Sequence, residues 1–462
     1  IDVHICDKAY MEGLAPELPE LRIQYKEYAT WQLSQIETKE YQDHKTFWTE
    51  SIKGDLPILE LPKKGARPSV NTYEGKGLRT YISQETTSGL KNLSQDQGGS
   101  LFMGLLAAWN VLFNKYTTSK DIIIGSPVAG RGHADLENQI GFYVNTVALR
   151  NQINTEQSFT TFYNEVKQTT MSAFSHQSYP FDCVVEDLDI KREKGANAIF
   201  DIMLALQNVG EKITNIVVTE EDENTILDLG NTVSKFDITL NFQEIGKHLI
   251  FDVIYNTSLY EEEMIKNLIH HFKQLTSNLV QSPNEKIGDV DCLLPSEKQK
   301  LLYDFNATEV AYPRDETLVT LFKEQVSKTP DKVAVVFEDE KLTYSELDNL
   351  SDKLAQCLVL DHHVKNEDFV GIKLERSNWI LVSILGILKS GGVYVPIDPN
   401  YPQVRIDDIE EDCKCKVTIN ESFINTFEER KSQFSSEVPA ITTQENSLAY
   451  VMYTSGSTGK PK

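Results

Sequence analysis

The 462-residue sequence is 40% hydrophobic, 25% charged and 9% aromatic, with 24 Gly and 16 Pro, proportions that exclude collagen-like, low-complexity and broadly disordered chains. At roughly 100–200 residues per domain, the length predicts two to four domains, each able to bury its own core. The formal net charge of −24 argues against a nucleic-acid or anionic-membrane surface, so no nucleic-acid and no membrane partner is expected, and acidic partners would have to be met by local basic or apolar faces.

No apolar run approaches the ~18 residues a membrane-spanning helix needs; the longest, Trp379 to Leu388, is short and amphipathic. Ile1-Asp2-Val3-His4 carries neither a basic leader nor an apolar signal core, and the missing initiator Met leads us to expect a piece of something longer. The six Cys, at 6, 183, 292, 357, 413 and 415, are too sparse for a disulfide scaffold. Cys413-Lys414-Cys415 is the one close pair. With no second Cys pair or His nearby, it reads as two ordinary side chains beside a strand and not as a zinc site. The compartment expected is reducing and cytoplasmic.

In chain order, residues 1 to about 60 read as mainly helical, broken by an extended Leu/Pro stretch at Leu14–Leu21. Ile23–Gln32 alternates aromatics and polars at helical spacing, which physics alone assigns to a packed amphipathic helix. Residues 100–116 form an apolar helix with Ser100 as N-cap. Asp121–Gly125 is a continuous apolar run suited to a strand buried on both faces. After it come Ile124–Arg131 and Ile140–Thr146, read as a strand, a glycine-flexed loop and a second strand. Asn145 and Arg150 there either face a cleft or satisfy local backbone. A helix at 157–176 ends at His176, beside a Pro turn, where a lone His is more often structural than catalytic. Strands near 199–207, 214–219, 235–242 and 248–255 precede a helix at 259–281. The first region is therefore α+β or mixed α/β.

Residues 286–313 lose periodicity and read as a linker with a short helix near 296–303. Beyond it, helix 315–328, strand 333–338, helix 345–360, strand 369–374, helix 378–389 and strand 393–397 alternate at parallel-sheet spacing, so the second region is α/β. No internal repeat is visible.

The strongest chemical signal closes the chain. Tyr450-Val-Met-Tyr-Thr-Ser-Gly-Ser-Thr-Gly-Lys-Pro-Lys462 runs a short strand into small residues and two lysines. The hydroxyls of Thr454, Ser455, Ser457 and Thr458, and a backbone freed by Gly456 and Gly459, could converge on one anion, with Lys460 and Lys462 adding positive charge. That donor set suits a polyphosphate. The spacing is not the Walker pattern, which disfavours a P-loop NTPase. Taken alone, such a cluster is more often a polar surface turn.

The cluster is not alone. With Leu342-Thr-Tyr-Ser-Glu-Leu347 and Leu388-Lys-Ser-Gly-Gly-Val-Tyr-Val-Pro-Ile-Asp-Pro399 plus Tyr401-Pro402, the second region resembles adenylation domains of nonribosomal peptide synthetases, within the adenylate-forming superfamily. The resemblance implies that the first two runs are structural, that Thr454 to Lys460 form a mobile loop holding ATP phosphates with Mg2+, and that the family's amino-acid pocket and catalytic Lys lie beyond Lys462. Ile23–Gln32, Ile124–Arg131, Ile140–Thr146 and His176–Phe181 in order resemble the condensation domains of the same synthetases, which have the chloramphenicol-acetyltransferase-like fold. The family joins an upstream acyl thioester to a downstream aminoacyl thioester, each held by 4'-phosphopantetheine on a peptidyl carrier protein. Its His-His-x-x-x-Asp-Gly signature is missing. His362-His363 lacks the Gly, and His270-His271 has no acidic residue at the right place; the true motif is expected upstream of Ile1, so no catalytic residue is assigned.

The expected architecture is thus an α/β multidomain chain: a condensation domain's C-terminal part over 1–285, a linker over 286–313, and the N-terminal part of an adenylation domain over 314–462. The parent module would activate an amino acid with ATP as aminoacyl-adenylate, load it on a carrier protein and form a peptide bond. Where the family usually carries Arg before and Pro after Asn197, this chain has Ala196 and Ala198. That departure motivates the alternative, a non-catalytic carrier-binding or gating module on a working ligase; a stand-alone acyl-CoA-type ligase is disfavoured by the long condensation-like region. The 462 residues by themselves are expected to catalyse neither reaction, and amino-acid-dependent ATP–pyrophosphate exchange by this chain alone would refute that.

Overall fold

The structure is a computed structural model that describes residues 2–15, 21–137, 139–190, 195–207, 218–437 and 443–454, with side chains from residue 6 onward. They form two units, Ile1–Ala307 and Thr308–Lys462.

The first unit begins with helices α1 (Asp2–Met11), α2 (Tyr25–Gln35) and α3 (Lys39–Ser51). Thr38 caps α3, its hydroxyl accepting the Tyr41 N–H. Then follow β1 (Glu74–Ile82), α4 (Gln84–Asp96), α5 (Leu101–Thr117), β2 (Asp121–Val128), β3 (Asn145–Gln152), α6 (Phe159–Ser175), α7 (Phe181–Asp187), β4 (Ile202–Gln207), α8 (Glu220–Asn224), β5 (Leu227–Val233), β6 (Ile238–Ile245), β7 (His248–Asn256), α9 (Glu262–Gln281) and α10 (Pro295–Gln299). The described strands make one mixed sheet in the order β3-β2-β4-β6-β7-β1-β5. β4 runs parallel to both β2 and β6, and the remaining pairs are antiparallel.

Helix α5 is buried all round from Met103 to Asn114, as a helix apolar on every face must be. Trp109 stacks on Phe272 of α9 with centroids 4.2 Å apart. Phe242 and Phe251, directly opposite in β6 and β7, stack at 4.5 Å. These rings lock sheet to helices. Gly125 in β2 serves the same packing, because a Cβ there would lie 2.1 Å from the Phe200 ring.

Several expectations shift. Ser100 stands at the α5 N-cap, but its side chain makes no capping bond; its carbonyl instead accepts the Tyr163 hydroxyl at 3.3 Å. The strand expected over 140–146 begins at Asn145, with Ile140, Phe142 and Val144 exposed. The segment read as a linker from 286 starts inside the first core, since Ile287 and Val290 are buried there. The expected strand at 214–219 falls largely outside the described residues. β1 and α4 gave no clear signal, because Gly75 and Gly77 thin the β pattern; yet both glycines face β5, and a Cβ on Gly75 would press on Ser234 at 2.8 Å.

The second unit contains α11 (Leu318–Lys328), β8 (Val333–Phe337), β9 (Glu340–Thr343), α12 (Tyr344–Leu360), β10 (Phe369–Ile372), α13 (Asn378–Lys389), β11 (Val393–Pro396), α14 (Gln403–Cys413), β12 (Val417–Ile419) and α15 (Glu421–Arg430). β11-β10-β12 is the expected parallel sheet. β8 does not join it; β8 pairs antiparallel with β9. The hairpin was hidden by its turn, Glu338-Asp339, which uses Glu338 at φ 52° where a Gly or Asn signal would normally stand.

At the end of α13, fully buried Lys389 reaches Asp348 and Asp352 of α12, each at 2.7 Å, and the Ser351 hydroxyl at 2.7 Å. Lys323 of α11 meets the same two carboxylates at 2.9 Å. Burial holds the Lys389 ammonium below its ordinary pKa, against the upward pull of both Asp side chains. Two lysines thus balance two aspartates where three helices meet. Removing one partner leaves buried charge uncompensated. Lys389→Met is therefore expected to destabilise the second unit by about 3–5 kcal/mol, read as a lower urea midpoint for hydrogen exchange in α12 and α13.

Candidate functional site

The hydroxyl- and glycine-rich segment is introduced by a strand-like stretch beside β11. The Tyr394 N–H donates to the Ala449 carbonyl at 3.2 Å, and the Val451 N–H donates to the Tyr394 carbonyl at 3.0 Å. These bonds set Tyr450 parallel to Tyr394, with ring centroids 5.5 Å apart. Val451 and Tyr453 pack on an apolar cluster of Val395, Ile397, Ile406, Ile409 and Cys413. The Tyr453 hydroxyl donates to Asp412 at 2.5 Å; burial first, then this carboxylate, raise its pKa. Because the stretch runs parallel to β11, Thr454 emerges beyond the carboxyl ends of the strands, where open α/β sheets bind ligands. Of the expected phosphate-binding residues, Thr454 is described; Ser455, Gly456, Ser457, Thr458, Gly459, Lys460 and Lys462 lie outside the described residues.

The two companion motifs support this geometry. Thr343 and Glu346 form a reciprocal capping box at the start of α12, with the Glu346 carboxylate accepting the Thr343 N–H at 2.8 Å. Leu388–Pro399 joins the buried Lys389 to β11 through Ser390, whose hydroxyl donates to the Ile387 carbonyl at 2.7 Å. Among the described residues no cluster of three or more His, Cys, Asp or Glu side chains is arranged to hold a metal ion.

The first unit holds a separate cleft of about 860 Å³. One wall is α2, through Glu27, Tyr28 and Trp31; the opposite wall is the loop after β2 and the approach to β3. Arg131 lies over the Tyr143 ring at 4.3 Å and donates to the Leu136 carbonyl. Gly130, at φ 64°, lets the loop pass Tyr143, whose carbonyl would stand 1.8 Å from a Cβ. So α2 is not the packed amphipathic helix expected: no residue of it is fully buried, and Tyr28 and Trp31 line the cleft. The spacing of Tyr25, Tyr28 and Trp31 was the available signal.

Asn145 lines the cleft while its side chain holds backbone. It donates to the carbonyls of Gln177 and Tyr179 at 2.8 and 2.7 Å and accepts the Phe181 N–H at 3.0 Å. Arg150 turns to Asp121 and to the carbonyls of Lys53 and Asp55. His176 stacks on Phe47 at 4.1 Å and faces His44, Nδ1 to Nδ1, at 2.7 Å. His271 bonds Tyr116 at 2.6 Å and Glu297 at 2.8 Å; His362 lies against Phe423 at 5.1 Å. Near Ala196, sequence reasoning missed Arg67. Its guanidinium donates to the Gly195 carbonyl at 3.2 Å and pairs with Asp201 at 3.3 Å and with Asp237.

Residues 7–302 match the condensation domain family and residues 322–462 the AMP-binding enzyme family. Tyrocidine synthase 3 of Brevibacillus parabrevis is 39% identical over 467 residues, covering 96% of this chain and 7% of the relative. Gramicidin S synthase 2 of Brevibacillus brevis is 37% identical over 458 residues, covering 96% and 10%; the chain thus spans a tenth or less of these two relatives. A four-domain nonribosomal peptide synthetase solved with AMP and glycine superposes with a TM-score of 0.81 at 25% identity, over 100% of this chain and 36% of that one. The X-domain from teicoplanin biosynthesis shares the fold over 62% of this chain and 66% of its own, with a TM-score of 0.54 at 19% identity. The chain belongs to the condensation-domain family. With the AMP-binding region that follows, it is a condensation–adenylation segment of the nonribosomal peptide synthetase type.

The His44–His176 contact generates a pH prediction. Burial, then His44, lower the His176 pKa, with Asp43 opposing. Below the unfolded value of about 6.5 the unfolded chain binds more protons, so stability is lost as pH falls through that value. The urea midpoint is expected to drop on acidification, and the drop to shrink in His176→Asn.

Proposed function

We propose that the protein containing this chain is a peptide synthetase module that activates an amino acid with ATP and condenses it with an upstream acyl or peptidyl thioester. The carrying observation is the Tyr394–Tyr450 pairing, which delivers Thr454 at the carboxyl edge of a parallel sheet on the same chain as a condensation-type core. In activation, the amino-acid carboxylate forms a bond to the α-phosphorus as the bond to the β-phosphate oxygen breaks, and pyrophosphate leaves. Thr454, Ser455, Ser457 and Thr458 would supply hydroxyl donors, Gly456 and Gly459 backbone N–H groups, and Lys460 and Lys462 positive charge to the phosphates. Mg2+ would arrive on the nucleotide. The phosphopantetheine thiol of a peptidyl carrier protein then attacks the aminoacyl carbonyl, releasing AMP and forming a thioester, and the aminoacyl amine attacks the upstream carrier's thioester, releasing that thiol.

The aromatic cleft beside Arg131 fits one wall of the channel for those tethered groups. The alternative of a non-catalytic gating module rested on Ala196. Arg67 reaches the neighbouring Gly195 carbonyl, with its charge taken up by Asp201 and Asp237. Work with ATP and carrier proteins suits a cytoplasmic setting. In the full-length synthetase, Thr454→Ala and Lys460→Ala are each expected to lower amino-acid-dependent ATP–pyrophosphate exchange by about 10- to 100-fold. Unchanged exchange in both would overturn the assignment of this segment.

A further inference from the structure

The apolar cluster under Val451 and Tyr453 contains two thiols. Cys413, the last residue of α14, is buried, and Cys415 is partly buried. Between them Lys414 takes the left-handed conformation, φ 46° and ψ 49°, as the cap of α14. That reversal swings the chain back, so that the two sulfurs sit 3.2 Å apart. A disulfide needs a separation near 2.05 Å, so closure requires a movement of about 1 Å. Asp412, next in sequence to Cys413, holds the Tyr453 hydroxyl, and Lys416, next to Cys415, donates its N–H to the Phe369 carbonyl at 2.7 Å. The pair is thus wired on one side to the stretch leading to Thr454 and on the other to β10.

We propose that Cys413 and Cys415 form a reversible thiol–disulfide switch that controls how the segment entering the nucleotide loop is seated. The oxidant is a small-molecule disulfide such as oxidised glutathione. Cys415, the half-buried residue of the two, loses its proton and attacks it, forming a mixed disulfide and releasing one thiol. Burial first, then the Cys413 sulfur, hold the Cys415 thiol above its ordinary pKa, so the step is slow at neutral pH and quickens as pH rises. Cys413 then attacks Cys415, closing the protein disulfide and releasing the second thiol. Two protein thiols are oxidised, one disulfide is reduced to two thiols, and the two protons pass to the departing thiolates. A bridge across a single residue is strained, which places it among the readily reduced, regulatory disulfides. Drawing the sulfurs together pulls Cys415 toward α14 and disturbs the surface on which Val451 and Tyr453 rest, so the oxidised form holds nucleotide less well.

The functional half of this inference rests on reading Thr454–Lys462 as the nucleotide loop; the chemical half does not. Trypsin cuts after Lys414, between the two cysteines. After native treatment with oxidised glutathione, peptides Ile406–Lys414 and Cys415–Lys416 are expected joined, two hydrogens lighter than their sum. In the full-length synthetase the KM for ATP in the exchange assay is expected to rise about tenfold, within the usual range of coupling between two sites, and to be restored by dithiothreitol. Cys415→Ser, and independently Cys413→Ser, should keep the reduced-state KM and lose the response. Separate peptides after oxidation, or joined peptides with an unchanged KM, would overturn the switch. A reduced synthetase without any exchange would instead sink the nucleotide-loop reading. Deuterium uptake over 449–454 then decides the switch: a rise on oxidation supports it, and no change refutes it.

Discussion

Two backbone hydrogen bonds of Tyr394 determine where the hydroxyl- and glycine-rich sequence begins. They add the 449–451 stretch to the edge of the parallel sheet and thereby set its direction. A parallel addition sends the following residues out at the carboxyl ends of the strands; an antiparallel one would send them to the opposite rim. The rest of the second unit keeps Tyr394 in place. Lys389, neutralised by Asp348 and Asp352, pins the end of α13, and the tight Ser390-Gly391-Gly392 connection carries that fixed point into β11. A buried charge cluster is thus tied to the 449–451 stretch by a few residues of rigid chain.

The first unit builds its cleft differently. Its core is a stack of large rings around α5, which needs no functional residue at its centre. The cleft is assembled at the margin from α2, none of whose residues is fully buried, and from a loop that can approach Tyr143 closely because residue 130 is glycine. Trp31 stands largely exposed on this wall, beside the half-buried Tyr28. Stability and recognition are therefore carried by different layers of the same unit.

Much of this organisation was legible in the sequence. The apolar runs of β2 and β10 declared themselves because burial on both faces leaves continuous hydrophobic strings, and helix 378–389 did so by an amphipathic apolar run that leaves Leu381 exposed. The first-region motifs pointed to the right family. What stayed hidden depended on long-range partners. β1 is interrupted by glycines whose purpose is the closeness of β5. The β8–β9 turn has acidic residues where turn chemistry would call for Gly or Asn. α2 read as a packed helix because three-residue spacing of aromatics does not reveal what faces them. Arg67 could not be linked to Gly195, Asp201 and Asp237 from sequence, since more than a hundred residues separate it from each.

Asn145 shows how such an arrangement survives change. All three of its bonds across the 177–181 turn go to main-chain atoms. The turn's shape is consequently indifferent, at those bonds, to which side chains Gln177, Tyr179 and Phe181 carry. One amide thus holds the path of the chain, and loss of Asn145 would remove all three bonds at once.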